Sequence, residues 1–189
     1  MRLRGCPRRL TQRRSFQVSG LEGLGPSLGK TSVNSTDSAD HPDVIAWPPL
    51  IFLGCAAVGS LLHFIFPIRV MRYSVSHSLG VGLAVVSVSL GAWAVRAMKA
   101  AGTSIRPDRP ALTIVSTGPY RFTRNPMYLS LCLLQLALGF VLDGWIALLF
   151  TIPLVLILHF GVIRREESYL EAKFGEQYLA FKRKVRRWI

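Results

Sequence analysis

The sequence predicts an all-α, polytopic integral membrane protein. It should have about four transmembrane helices arranged as two hairpins, followed by a C-terminal amphipathic helix at the membrane interface. Three observations predict this. Hydrophobic residues make up 50% of the 189 and are concentrated in four nearly uncharged runs of about twenty residues, the length that crosses a hydrocarbon core of roughly 30 Å. Lys and Arg alternate between rich and poor segments along the chain, as the positive-inside bias requires. The C-terminal stretch carries apolar residues every three or four positions, the period of a one-sided helix. A formal charge of +13 would suit a nucleic-acid binder, but the cations are confined to the segments between the apolar runs. That distribution decides against nucleic acid and names the lipid bilayer as the partner.

Residues 1–45 are expected to be a disordered basic arm. Its first twenty residues contain Arg2, Arg4, Arg8, Arg9, Arg13 and Arg14 and no acid, and Gly, Ser, Thr and Asn dominate from Ser19 to Ser38. The composition resembles an organelle transit peptide; a basic tail drawn to anionic lipid is the favoured reading. Nothing in the arm forms the apolar core of a secretory signal.

Residues 46–189 are expected to form the membrane domain. Its first run lies near Trp47–Pro67 and its second near Val75–Val95. Only a few residues around Arg69–Ser74 separate them, so an antiparallel hairpin is expected. The second run contains Gly80, Gly82, Ser87, Ser89 and Gly91, small residues that let helices approach closely in lipid. The central segment Ala100–Asn125 holds Gly102, Pro107, Pro110, Gly118 and Pro119 and cannot be one continuous helix. The third and fourth runs, near Pro126–Leu142 and Trp145–Ile163, should form a second hairpin over Asp143-Gly144. In the tail, 164–189, Leu170, Phe174, Tyr178, Phe181 and Val185 make an apolar stripe. Acids lie early in that tail and bases late, an order that suits the helix dipole. The arm holds seven Lys and Arg, the segments after the first three runs two, six and none, and the tail eight. Both termini and the central segment are therefore expected on the cytoplasmic side.

Candidate chemistry gathers at that side. Asn125-Pro126 reads as a helix start, with Asn as cap and Pro in the first helical position. The N–H groups of such a start, with Arg121 and Arg124 beside them, would receive a carboxylate or phosphate. Topology control or lipid phosphate binding explains the two arginines equally well. Glu166 and Glu167 are adjacent acids at the end of an apolar run, costly unless paired or hydrated. Helical neighbours point about 100° apart, so one glutamate is expected to bind a ligand hydroxyl or ammonium while the other pairs with an arginine of the central segment. A solvated helix start accounts for them as well. Tyr120, Tyr128 and Tyr178 would supply faces for a flat ring or a cation. His63, His77 and His159 lie in or beside runs without a partner at ligand spacing, and Cys6, Cys55 and Cys132 form no metal-binding pattern, so no metal is expected.

The stretches "AGTSI" (Ala101–Ile105), "GPYRFTRNPMYL" (Gly118–Leu129) and "REESYLEAKFGEQYLAFKR" (Arg165–Arg183) resemble the membrane methyltransferases. That group includes the isoprenylcysteine carboxyl methyltransferases and the phospholipid methyltransferases, and the resemblance runs from about Leu79 to the C-terminus. It implies methyl transfer from S-adenosylmethionine to a lipophilic or small acceptor at the cytoplasmic face. It also implies a cofactor pocket built from Gly102, Thr103, Tyr120, Arg121, Arg124, Asn125, Pro126, Tyr128, Glu166, Glu167 and Tyr178. The prenylcysteine enzymes commonly have Arg-His-Pro where this chain has Arg124-Asn125-Pro126, and Asn-Pro-Met-Tyr is closer to the phospholipid type. No general base is named by the sequence. The alternative is a non-enzymatic membrane scaffold or sensor retaining the fold. A transporter fits less well, because the runs hold almost no charge to line a pathway.

Overall fold

A computed structural model describes residues 46–105 and 110–188, and every described element is helical. The expected basic arm, residues 1–45, lies outside the described residues.

Helix α1 spans Pro48–Ile65, with proline in its first turn, and ends just before Pro67. Helix α2 spans Tyr73–Ala100. After it the described residues are irregular until a 3-10 turn at Gly118–Arg121, followed by α3, Pro126–Val141. Beyond the Asp143-Gly144 turn come α4 (Trp145–Leu149), α5 (Thr151–Ile157), a π-helical segment (Leu158–Ile163) and α6 (Arg164–Phe174). Pro153 separates α4 from α5: it offers no N–H to the Leu149 carbonyl, and its ring crowds that carbonyl. Gly175, at φ 52°, ends α6, and α7 spans Glu176–Lys184.

Among the described residues, three helices are long and apolar enough to cross a membrane: Pro48–Ile65, Tyr73–Ala100 and the run Trp145–Phe174. They make the chain a multi-pass membrane protein. Helix α3 is a shorter apolar helix, whose 16 residues rise only about 24 Å. The expected boundary at Ile163 shifts, because the helical run passes through the π segment to Phe174. The tail is broken at Gly175 into α6 and α7.

The pairing of the helices corrects a second expectation. The third and fourth runs do form a hairpin, with α3 against α4 and α5. The first two runs do not. Helix α1 packs on α3, α4 and α5, whereas α2 packs along α3. The reason lies in the small residues of α2. A Cβ added to Gly80 would lie 2.6 Å from the Val141 backbone nitrogen, so α3 uses the space that glycine leaves. Ser76 Oγ donates to the Phe140 carbonyl at 2.7 Å, and Ser87 Oγ donates to the Ser130 carbonyl at 2.7 Å. These contacts run in opposite chain directions, so the seam is antiparallel. Gly82 and Ser89, also expected to assist close packing, face outward instead. On α1, Gly59 receives the Phe150 ring from between α4 and α5.

Although α1 and α2 do not pair, their connection is fixed at the far end of α3. Asp143 adopts φ 51°, a left-handed conformation that Asp tolerates better than most residues. Its Oδ1 accepts the Val70 N–H at 3.3 Å and the Met71 N–H at 3.1 Å. Trp145 N–H donates to the Ile68 carbonyl at 3.1 Å. The two inter-helix turns therefore meet at one end of the bundle. The central segment and the tail are left at the other.

The seam yields a paired prediction. Gly80→Ala should lower unfolding stability in detergent by about 1–3 kcal/mol, the usual cost of overpacking. Gly82→Ala, where an added Cβ meets nothing within 4 Å, should leave it within about 0.5 kcal/mol. Equal effects of the two substitutions on chemical or thermal unfolding would exclude the close seam.

Candidate functional site

At the end of the bundle opposite the Asp143 turn lies a partly open cleft with a cavity volume of about 130 Å³. Five parts of the chain wall it. The end of α2 contributes Met98, and the irregular segment contributes Thr103, Thr113 and Val115. The 3-10 turn and the start of α3 bring Tyr120, Arg124, Asn125, Pro126, Met127 and Tyr128. Helix α6 adds Glu166, Glu167, Tyr169 and Leu170, and α7 adds Tyr178 and Phe181.

Local sequence explains this placement. Gly102 at φ 67° turns the chain out of α2, and Thr103, the next residue, enters the wall. Gly118 at φ 60° starts the 3-10 turn, which buries Pro119 and Tyr120 and leaves Arg121 and Phe122 exposed. The π-helical segment buries Gly161, Val162 and Ile163 together and carries the chain into Glu166 and Glu167. Wide turns of this kind are rare and recur at functional sites.

The structure divides the two glutamates. Glu166 Oε2 accepts the Tyr128 hydroxyl at 2.9 Å. Glu167 is 5% exposed. Arg187 donates to it through Nε at 2.9 Å and Nη2 at 2.6 Å, a bidentate pair. Arg124 Nη1 lies 3.1 Å from Glu167 Oε1, an ion-pair contact outside hydrogen-bond alignment. Arg124 Nε is buried without a hydrogen-bond partner among the described residues. Burial first, and then the Glu167 carboxylate, push the Tyr178 hydroxyl up to about 12 against the opposing charge of Arg124. Burial, with the charge of Glu166, raises Tyr120 as well. Both phenols stay protonated at neutral pH and present O–H donors.

Of the eleven residues expected at the site, Thr103, Tyr120, Arg124, Asn125, Pro126, Tyr128, Glu166, Glu167 and Tyr178 line the cleft, and Gly102 and Arg121 do not. Gly102 shapes the wall without forming it. Arg121 points outward because the 3-10 turn spends its inward position on Tyr120. Asn125 departs from its expected role. It stands at the N-cap of α3, but its side chain makes no cap bond; Nδ2 donates instead to the Arg187 carbonyl at 3.0 Å. Sequence reasoning missed Arg187, one of eight basic residues in the tail with nothing to separate it from the rest. It also missed Tyr169 and Leu170, whose spacing of three and four from Glu166 puts them on the same helical face. None of His63, His77 and His159 lines the cleft, and no group of three potential metal ligands gathers among the described residues.

The family model for phospholipid methyltransferase (PEMT) matches residues 75–177, which contain most of this cleft. The chain belongs to the phospholipid methyltransferase family. Membership makes it a membrane methyltransferase. An uncharacterized protein of Haemophilus influenzae (strain ATCC 51907 / DSM 11121 / KW20 / Rd) is 48% identical over 63 residues, which is 33% of this chain and the whole of that protein. No solved structure matches the chain. In this family member the match begins within α2 and ends just short of Tyr178, so the last wall of the cleft lies beyond it.

The doubly paired glutamate yields the second prediction. Glu167→Gln strands two guanidinium groups and should cost about 3 kcal/mol of unfolding stability. That is the low end for breaking a buried pair, because Arg187 is partly solvated. Glu171→Gln, which removes the half-exposed pair with Lys182, should cost under about 1 kcal/mol. Detergent unfolding curves of the two variants check the ordering.

Proposed function

We propose that this cleft binds S-adenosylmethionine and that the protein transfers its methyl group to a lipophilic or small acceptor at the cytoplasmic face of the membrane. The observation that carries the reading is the pairing of unlike partners in one cleft. Arg124 brings a buried guanidinium with an unpartnered Nε, and Glu166 brings a carboxylate bonded only to a neutral phenol among the bonds described. A ligand that suits both carries an anionic group and hydroxyl or ammonium donors, with a flat apolar part for the tyrosines, Met98 and Val115. S-adenosylmethionine has that chemistry.

Arg124 and the first turn of α3 would hold the cofactor carboxylate. Glu166 would accept from its ribose hydroxyls or its ammonium, kept in place by Tyr128. When bound, the cofactor supplies an electrophilic methyl group on a sulfonium. The chain's part is alignment and exclusion of water, for which Met98, Val115, Met127, Leu170 and Phe181 provide apolar walls. No residue is assigned as a general base.

In this reading residues 46–189 are the methyltransferase unit. Helix α3 completes a set of four crossings, its short length met by local thinning of the bilayer. Both termini and the cleft face the cytoplasm, as the distribution of Lys and Arg supports. Helix α6 carries the last apolar run out of the membrane and α7 lies along that surface, with Leu170, Tyr178 and Phe181 turned toward the cleft. The acceptor enters from the bilayer.

Purified protein in detergent tests the reading by thermal unfolding. Saturating S-adenosylhomocysteine, at about 100 times its dissociation constant, should stabilise the wild type by about 2.7 kcal/mol. Glu166→Gln should weaken that ligand by on the order of tenfold or more, the worth of a hydrogen bond to a charged group. The absence of any stabilisation of the wild type would overturn the proposal. Labelled cofactor incubated with membrane lipid extract would then identify the acceptor by the product that acquires the label.

A further inference from the structure

The tail residues after α7 are bonded to the anion-binding corner of the cleft. Arg124 N–H donates to the Arg186 carbonyl at 2.9 Å, and residues 123 and 186 form a parallel bridge. Thr123 Oγ1 and Asn125 Nδ2 both donate to the Arg187 carbonyl, at 3.1 and 3.0 Å. The Arg187 guanidinium meanwhile holds Glu167 in a fork, and Glu167 contacts Arg124. Flanking residues pin the segment. Val185 is buried, and Trp188 packs against the core cluster of Leu154, Leu158 and Val162 with its ring 6.5 Å from that of His159.

Arg187 thus reaches Arg124 by two routes: through its backbone to the residues on either side, and through its side chain by way of Glu167. Yet Arg187 does not line the cleft. Both Glu167 oxygens are already engaged, so Glu167 has little left to offer a ligand. Its position explains it as the support of Arg124. A single Glu167–Arg124 contact would leave the arginine able to swing on a long side chain. The bidentate fork fixes the carboxylate in orientation as well as distance, and a fixed carboxylate fixes the guanidinium.

We propose that Arg187, with the strap of residues 185–188 that carries it, is a positioning residue for the carboxylate-binding corner of the cleft. The strap lies beyond residue 177, where the family match ends. The proposal rests on the reading of the cleft as an S-adenosylmethionine site, and it specifies which part of that ligand Arg187 serves. Removing Arg187 should harm recognition of the amino-acid end and spare recognition of the nucleoside end.

The test compares two ligands on the full-length protein in detergent. S-adenosylhomocysteine carries the carboxylate; 5′-methylthioadenosine keeps the nucleoside and thioether and lacks the amino acid. For Arg187→Ala, the dissociation constant of S-adenosylhomocysteine should rise on the order of tenfold, with that of 5′-methylthioadenosine changed less than about twofold. Arg187→Lys, which keeps the charge but lacks the planar fork, should recover part of the loss. Equal losses for both ligands would mean that the strap only stabilises the fold and would overturn the proposal, as would unchanged affinity for both. Should Arg187→Ala not be recovered folded, the same ratio is read on Arg187→Lys: a selective loss supports the proposal and an unchanged ratio overturns it. Wild-type protein that binds neither ligand would instead sink the underlying assignment of the cleft.

Discussion

The Glu167 carboxylate joins segments of chain that are distant in sequence. It sits on α6, receives Arg124 from the turn before α3, and receives Arg187 from the tail. Each of those segments forms part of the cleft or holds a part that does. Ionised groups withdrawn from water are unfavourable unless matched and hydrogen-bonded. Here the match is made by one acid between two bases. Glu166, the next residue, is left to a neutral phenol and to the space in front of it. The division of labour between the two acids follows from the 100° that separates neighbours on a helix.

The cleft depends also on the seam between α2 and α3. Ser76, Gly80 and Ser87 hold the two helices together over much of α3, with serine hydroxyls bonded to carbonyls of the facing helix. In lipid such contacts matter because apolar side chains gain nothing by leaving one hydrocarbon surface for another. The seam fixes where α2 ends relative to where α3 begins. The irregular segment between those points must therefore fold back over a set distance, and Thr103, Val115 and Tyr120 face the start of α3.

Much of this was legible in the sequence. Hydropathy located the starts of the apolar runs to within a few residues, because burial in lipid demands length and little else. Gly102, Gly118 and the prolines marked the central segment as irregular, and the cleft-lining residues from Thr103 to Tyr178 came largely from motif resemblance. What failed was partner choice. A short connection suggested that α1 and α2 pair, but the glycine that admits a backbone faces α3. Asn125 looked like a cap because sequence shows only near neighbours; its hydrogen-bond partner lies 62 residues away. Arg121 and Arg124 are both cations of one short motif, and only the turn geometry turns one outward and the other inward. Arg187 was hidden among tail cations that differ from it in position alone.

The clasp at Asp143 bears on how the bundle is assembled. As the chain emerges, α1 and α2 enter the membrane first, with little surface in common and a connecting turn whose N–H groups await an acceptor. Both needs are met by α3 and the turn after it, which arrive later. The earlier half of the domain cannot settle until the later half is inserted, and a nascent chain halted before α3 holds two helices with nothing to keep them in register.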